Sequence, residues 1–370
     1  MTRTDDQDGR LKWTSCVFRK TVANIDLDAI RENYAVATAI APQSKSMPVI
    51  KANAYGHGMV RVAEALQDIA PAFAVATLDE AIELRCAGIT RPLLVLEGVN
   101  SADAISTAVE MELSLVVHCE EQLSQVSQLP KTTPLWVKVD TGMHRLGFSP
   151  DQLRSVLDRL GEDRDDVVIC THLSCADDVS SGATQRQLDR FAACTAGIDL
   201  PTSICNSAGI LAWPQSHADW NRPGYMLYGA SPMLTDVESA SGLRAAMTFQ
   251  SEIIAIAEVP AGESVGYGAR WTASRPTRVG TVAVGYGDGY PRHAPNGTPT
   301  LVDGAIAPLI GAVSMDMLTI DLSAHESAVI GDAVELWGPG IAINDVAGRA
   351  GTIAYELMTG VSSRVPRLYQ

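Results

Sequence analysis

Leu135-Trp-Val-Lys-Val139 is a short apolar run, Ser149-Pro-Asp-Gln152 fits a capping box with proline at the first helical position, and Val168-Ile-Cys-Thr171 is apolar again. Strand, helix and strand in that order make one parallel strand-helix-strand unit. The same alternation continues outward in both directions, from about Met47 to Gly229. The other candidate strands are Pro48 to Lys51, Ala72 to Ala76, Leu93 to Leu96, Ser114 to Val117, Ser203 to Asn206 and a short piece near Asn221. Thr77-Leu-Asp-Glu80 marks a further helix start by the same capping logic. Eight such units in roughly 180 to 200 residues predict an α/β fold of the (β/α)8 TIM-type barrel, although a doubly wound sheet shares the alternation.

After about Met247 the pattern changes to β-rich segments with glycine turns: Gln250 to Val259, Arg278 to Gly285, Thr300 to Ile310 and Ala333 to Trp337. A chain of 370 residues exceeds what one hydrophobic core usually serves. The expected division is a barrel over 24–246 and a mainly β C-terminal domain over 247–370, with residues 12–23 lending that domain a strand.

Composition narrows the function. With 28 basic and 43 acidic residues the net charge is -15, which repels nucleic acid and anionic lipid, and no basic stripe offsets it. No apolar run is long enough to span a bilayer, and the start, Met1 to Gln7, is polar and acidic. Seven cysteines are spread along the chain without a C-x-x-C pair, as expected of reduced cytoplasmic thiols rather than a disulfide framework or zinc ribbon.

In a barrel, chemistry collects where strands end at the C-terminal face. Lys51 and Tyr55 follow the first candidate strand, Lys138 and Arg145 the fifth, His172 the sixth, Asn206 and Ser207 the seventh, and Arg222 to Tyr225 the eighth. Lys51 closes the apolar run Met-Pro-Val-Ile. Partial burial there disfavours the ammonium and yields an amine able to form an imine with an aldehyde. An isolated lysine at a strand end also serves simply by laying its stem along apolar surface. A lone histidine or tyrosine likewise reads more simply as packing.

The company of Lys51 changes that balance. Val49-Ile-Lys-Ala-Asn-Ala-Tyr-Gly-His-Gly58 resembles the signature of the alanine racemases. So, in order, do Val137-Lys-Val-Asp-Thr-Gly-Met-His-Arg-Leu-Gly147, Thr171-His-Leu-Ser-Cys-Ala-Asp177, Asn206-Ser-Ala-Gly209 and Arg222-Pro-Gly-Tyr-Met-Leu-Tyr-Gly229. In the second half Gly266-Tyr-Gly268, Gly285-Tyr-Gly-Asp-Gly-Tyr-Pro-Arg292, Val313-Ser-Met-Asp316 and Thr352-Ile-Ala-Tyr-Glu356 also fit, and the likeness runs from about Asn24 to Arg367.

The resemblance implies pyridoxal 5'-phosphate on Lys51, racemisation of alanine, and a homodimer with shared active sites. It implies Lys51 on one face of the substrate and Tyr267 from the partner subunit on the other. Phosphate contacts fall to Tyr55, Ser207, Tyr355 and the main chain at Gly224 and Tyr225, with Asn206 and His172 also at the cofactor. Arg222 is placed on the pyridine nitrogen, and because a guanidinium only donates, that nitrogen should stay unprotonated. Arg145 and the backbone N–H of Met315 would hold the substrate carboxylate. Lys138 matches a position that the family carries carbamylated, with an ordinary lysine-acid pair as the alternative. No metal is implied.

At Ala312 many family members have an arginine that narrows the entry corridor, while Asp177, Tyr286, Arg292 and Ile353 match other corridor positions. A methylene is worth only about 1 to 3 kcal/mol in such a pocket, so a serine or broader amino-acid racemase is the alternative. Three rivals share the barrel. A cofactor-binding barrel would end near position 230 to 250, a related decarboxylase would want a cysteine in its second domain, and a metal-dependent aldolase would need more ligands than His172, Cys175 and Asp177. The role expected from the resemblance is to supply or consume D-alanine for peptidoglycan metabolism.

Overall fold

The computed structural model describes residues 4–5, 11–12, 19–126, 129, 132–161, 164 and 166–370. Contacts divide them into a unit over Asp26–Ala246 and a second that joins the segment ending at Ile25 to Met247–Gln370.

In the first unit Phe73–Val75, Leu93–Val95, Leu113–Val117, Leu135–Lys138, Val167–Cys170, Thr202–Ser203, Trp220–Asn221 and Lys45–Ser46 form a parallel sheet in that spatial order. Its two ends meet at a parallel bridge between Val49 and Ala74, where Ile50 N–H donates to the Ala74 carbonyl (2.9 Å) and Ala74 N–H to that of Pro48 (2.9 Å). The sheet therefore closes into a barrel, and the doubly wound alternative falls. Alternate side chains fill the inside: Met47, Val49, Ala74, Leu94, Val116, Trp136, Val168 and Cys170 pack as one cluster. The opposite face of each strand meets the helices, which is why these strands read as continuous apolar runs.

The expected strand Pro48 to Lys51 is displaced. The ladder runs through Lys45–Ser46 and the Val49 bridge, and Lys51 lies beyond it. Pro48 has no N–H to give to a ladder, so pairing thins at that point. The capping box at Thr77 is present, with Glu80 N–H on Thr77 Oγ1 and the Glu80 carboxylate on Thr77 N–H.

In the second unit an antiparallel sheet runs Thr277–Val282, Leu318–Asp321, Ala305–Ile310, Pro299–Val302, Ala333–Trp337, Met247–Val259, Val22–Ile25 and Arg367–Tyr369, the last pair parallel. A further pairing of Met247–Val259 with Thr277–Val282 joins its far edge back to its middle. The expected run Thr300 to Ile310 is a hairpin, because Asp303 (φ 49°) and Gly304 (φ 76°) make a two-residue turn with positive φ at both positions. Arg278 to Gly285 ends as a strand at Val282. Helices Ile343–Ala350 and Ala354–Gly360 were not legible as such among the β-rich segments. Of the stretch 12–23 expected to lend a strand, residues 13–18 lie outside the described residues, Lys12 ends a two-residue strand paired with Thr4–Asp5, and the strand that joins this sheet is Val22–Ile25. Among the described residues no helix is long and apolar enough to cross a membrane.

Asn33, fully buried on the helix Leu27–Ile40, ties the chain after the last barrel strand in place. Its amide donates to the carbonyls of Leu227 (3.0 Å) and Arg244 (2.8 Å) and accepts from Arg244 N–H (2.8 Å). Asn33→Ala strands three backbone groups and is expected to cost about 3 kcal/mol, read as a lower midpoint in urea denaturation.

Candidate active site

Lys51 ends the apolar run at the C-terminal mouth of the barrel, and the backbone turns sharply there. Ala52, Asn53, Ala54 and Tyr55 have φ of 51°, 54°, 52° and 51°, one turn of left-handed helix built without glycine. L-residues resist this conformation at roughly 1 to 2 kcal/mol each, so the turn persists only where its surroundings hold it. Several contacts do. Gly56 N–H returns to the Ala52 carbonyl (3.0 Å), Gly58 N–H reaches the Asn53 carbonyl (3.0 Å), and Asn53 Oδ1 accepts from Met59 N–H (2.8 Å) at the next helix start. Ala52 N–H donates to the carboxylate of Glu80 at 2.6 Å.

The turn delivers Tyr55 to the loop after the eighth strand. Its ring lies 4.8 Å from that of Tyr228, and burial pushes its phenol up to about 12, so it is a neutral donor at ordinary pH. A Cβ at Gly224 would stand 2.8 Å from the Tyr55 hydroxyl and 3.4 Å from Val49 Cβ, which requires glycine for the approach. Ser207, first residue of the helix Ser207–Ala212, accepts from Gly224 N–H (3.0 Å) and Met226 N–H (3.2 Å) and keeps its own hydroxyl proton to donate. Asn206 caps that helix through Gly209 N–H (3.0 Å) and donates to the Leu173 carbonyl (3.1 Å). Tyr225 is buried beside them. Hydroxyl donors, a close backbone and a helix start at one strand end suit a phosphate.

Arg222 is only 7% exposed and is fixed across neighbouring strand ends. It donates to Ser203 Oγ, to the carbonyls of Thr171 (2.7 Å) and Ile204 (3.2 Å), and to His172 Nδ1 at 3.4 Å. Because guanidinium has no acceptor, Nδ1 is the accepting nitrogen and the imidazole proton resides on Nε2. Burial, followed by the charges of Arg222, Lys138, Arg145 and Lys51, holds His172 well below the usual imidazole range. Burial also lowers Lys51, with Arg145 adding to the effect and Glu80 and Glu97 opposing it. Lys138 is lowered by burial against the pull of Cys170, with Arg222, Arg145 and Lys51 contributing. Lys138, Arg145, Thr171 and His172 line one depression. A strongly acidic chain thus places four cations, Lys51, Lys138, Arg145 and Arg222, at a single mouth.

Tyr267, Met315 and Tyr355 belong to the second unit. Tyr267 is 72% exposed on a turn flanked by Gly266 and Gly268, both with positive φ, and Met315 is 54% exposed. Tyr355 is half-buried on the helix Ala354–Gly360. Among the described residues no three His, Cys, Asp or Glu side chains converge as a metal site. Sequence reasoning missed Glu80 as a site residue, reading it only as a helix cap, and missed Tyr228 and Thr171. The second use of the Glu80 carboxylate is non-local, so no local signal carries it.

A family model described as "Alanine racemase, N-terminal domain" matches residues 25–232, and one described as "Alanine racemase, C-terminal domain" matches residues 246–369. The chain is 48% identical over 357 residues to an alanine racemase of Chromohalobacter salexigens, covering 95% of this chain and 98% of that protein. It is 48% identical over 355 residues to one of Xanthomonas axonopodis pv. citri, covering 95% and 96%. The crystal structure of biosynthetic alanine racemase from Pseudomonas aeruginosa superposes with a TM-score of 0.92 at 46% identity, over 95% of this chain and all 100% of that one. A Bartonella henselae alanine racemase solved with covalently bound pyridoxal phosphate gives 0.86 at 27% identity, over 95% and 99%.

The neutral His172 has a consequence for stability. Unfolded, it takes a proton near its ordinary value of 6.5, whereas the folded form refuses one, so stability is lost as pH falls through that value. Urea midpoints of the cofactor-free protein should decline from about pH 7.5 to 5.5, by at most about 1.4 kcal/mol per pH unit from this group. His172→Gln should flatten that part of the slope.

Proposed function

The chain belongs to the alanine racemase family, and on that premise we propose that it interconverts L- and D-alanine with pyridoxal 5'-phosphate held on Lys51. The observation that carries the reading is the partly buried amine of Lys51 on the same turn as Tyr55, whose hydroxyl meets Gly224 beside Ser207. The donor set fits the group: neutral hydroxyls and backbone at the phosphate end, cations around the rest.

When bound, the cofactor supplies an aldehyde that bonds to an amine and a ring that draws electrons from the substrate's α-carbon. Tyr55, Ser207, Tyr355 and the main chain at Gly224 and Tyr225 would hold its phosphate, with Asn206 fixing the helix that presents Ser207. Arg222, which can only donate, would leave the pyridine nitrogen unprotonated and so limit how far charge spreads from the α-carbon. That favours prompt return of the proton. His172, kept neutral, would link Arg222 toward the phenol of Tyr267.

Two groups then handle the α-proton from opposite faces: Lys51, and Tyr267 of the partner subunit. A phenol with a reference value of about 10 needs nearby cations to act as a base, and the mouth is rich in them. Arg145 and the backbone N–H of Met315 of the partner subunit would hold the carboxylate, with a carbamylated Lys138 orienting Arg145. The exposure of Tyr267 and Met315 in a single chain supports a homodimer in which both become covered. The proposed setting is cytoplasmic, supplying or consuming D-alanine for peptidoglycan.

Purified protein given L-alanine or L-serine, followed by chiral analysis, should yield D-alanine faster than D-serine. Borohydride reduction should fix the cofactor on Lys51. No D-alanine together with no label on Lys51 overturns the proposal, and faster serine turnover changes the substrate. Tyr267→Phe should lower kcat by on the order of 10²- to 10⁴-fold while cofactor absorbance is retained. Gly224→Ala should weaken cofactor affinity about tenfold or more, seen in absorbance titration, because the new methyl displaces the Tyr55 hydroxyl.

A further inference from the structure

The geometry points to Glu80 as a positioning residue for Lys51: its carboxylate ties the left-handed turn that follows the lysine to the end of the next barrel strand. One oxygen accepts from Ala52 N–H at 2.6 Å, the residue immediately after Lys51. The other accepts from Ala76 N–H at 2.7 Å and Thr77 N–H at 3.3 Å, where the strand Phe73–Val75 passes into the helix Leu78–Cys86. A helix cap needs only the second set of contacts.

Two features make the first contact matter. The turn from Ala52 to Tyr55 holds four non-glycine residues at positive φ, a conformation that springs toward the right-handed region unless its ends are fixed. Asn53 and Gly56 fix its far end through Met59 and Ala52, and Glu80 fixes the end that carries Lys51. The carboxylate is also an anion near an amine otherwise facing Arg145, Lys138 and His172, with Glu97 the other acidic group acting on it. Both oxygens are engaged by N–H donors. Glutamine, with a single acceptor, can keep only one side of the tether and none of the charge.

The role rests on Lys51 being the reactive amine, and the experiment separates the two claims. In cofactor-free protein, acetylation of Lys51 by acetic anhydride is followed by mass spectrometry across pH, a readout independent of turnover. Racemisation is measured in parallel on the loaded enzyme. Removing the anion by Glu80→Gln should move the labelling midpoint to lower pH, and kcat should fall on the order of 10- to 100-fold, the cost of misplacing a reacting group. Glu80→Asp keeps the charge with a shorter reach, and should hold the midpoint while losing kcat. Thr77→Ala, which removes only the local bond to Glu80 N–H, should weaken the helix start yet leave labelling and kcat as in the parent. If Glu80→Gln behaves as Thr77→Ala does, losing stability with an unchanged midpoint and kcat, Glu80 is a helix cap alone and the inference is overturned. If Glu80→Gln does not fold, the same inference stands or falls on the kcat of Glu80→Asp. A wild-type protein that labels at Lys51 but does not racemise would instead sink the proposed function.

Discussion

A guanidinium buried at the mouth of a barrel organises this molecule. Removing Arg222 from water is expensive, and the cost is offset only because Ser203, Thr171, Ile204 and His172 all receive its hydrogen bonds. Those acceptors sit at the ends of adjacent strands, so the charge is tolerable only once the barrel has closed in register. In return it sets the electrostatics of the mouth. It fixes which ring nitrogen of His172 carries the proton, and it adds to the burial that keeps that imidazole neutral and makes Lys138 a weaker base.

Strain forms the second organising feature, and it lies on the neighbouring strand, where Val49 N–H donates to the Pro223 carbonyl at 2.8 Å. The chain leaves the first strand through a left-handed turn that no residue in it favours except Asn53, the type that tolerates such a conformation best. The turn brings Lys51 and Tyr55 out within five residues, the amine at one end and the phenol at the other. A right-handed turn would aim them differently. Contacts from Glu80, Met59 and Tyr228 supply the over-determination that such a segment requires.

Much of this was legible in the chain itself. The apolar runs at 73–75, 93–95, 113–117, 135–138 and 167–170 are strands buried on both faces, and their shortness together with the marked helix starts between them makes that legible. The first strand was misplaced because Pro48 and the turn after it interrupt the ladder where hydrophobicity continues. The hairpin at Asp303-Gly304 was legible as well, because Asp-Gly between apolar runs is a strong signal for a turn with positive φ at both positions, and a single strand over Thr300 to Ile310 overlooks it. The two helices near the C-terminus are short, seven and eight residues, and were absorbed into a β-rich reading.

What the residue order settles by itself is therefore the inventory: a repeated strand-helix alternation, an excess of acid with a few cations held back for strand ends, and motifs whose sequence places the chain in its family. These properties are local, carried by side-chain period and residue type. What tertiary structure alone decides is which groups meet. Closure through Val49 and Ala74, the approach of Tyr55 to Gly224, the hold of Glu80 on Ala52 and the tautomer of His172 all join residues at least 20 positions apart. Distance along the chain carries no information about such pairs, because they exist only after the barrel has bent its strand ends into one ring.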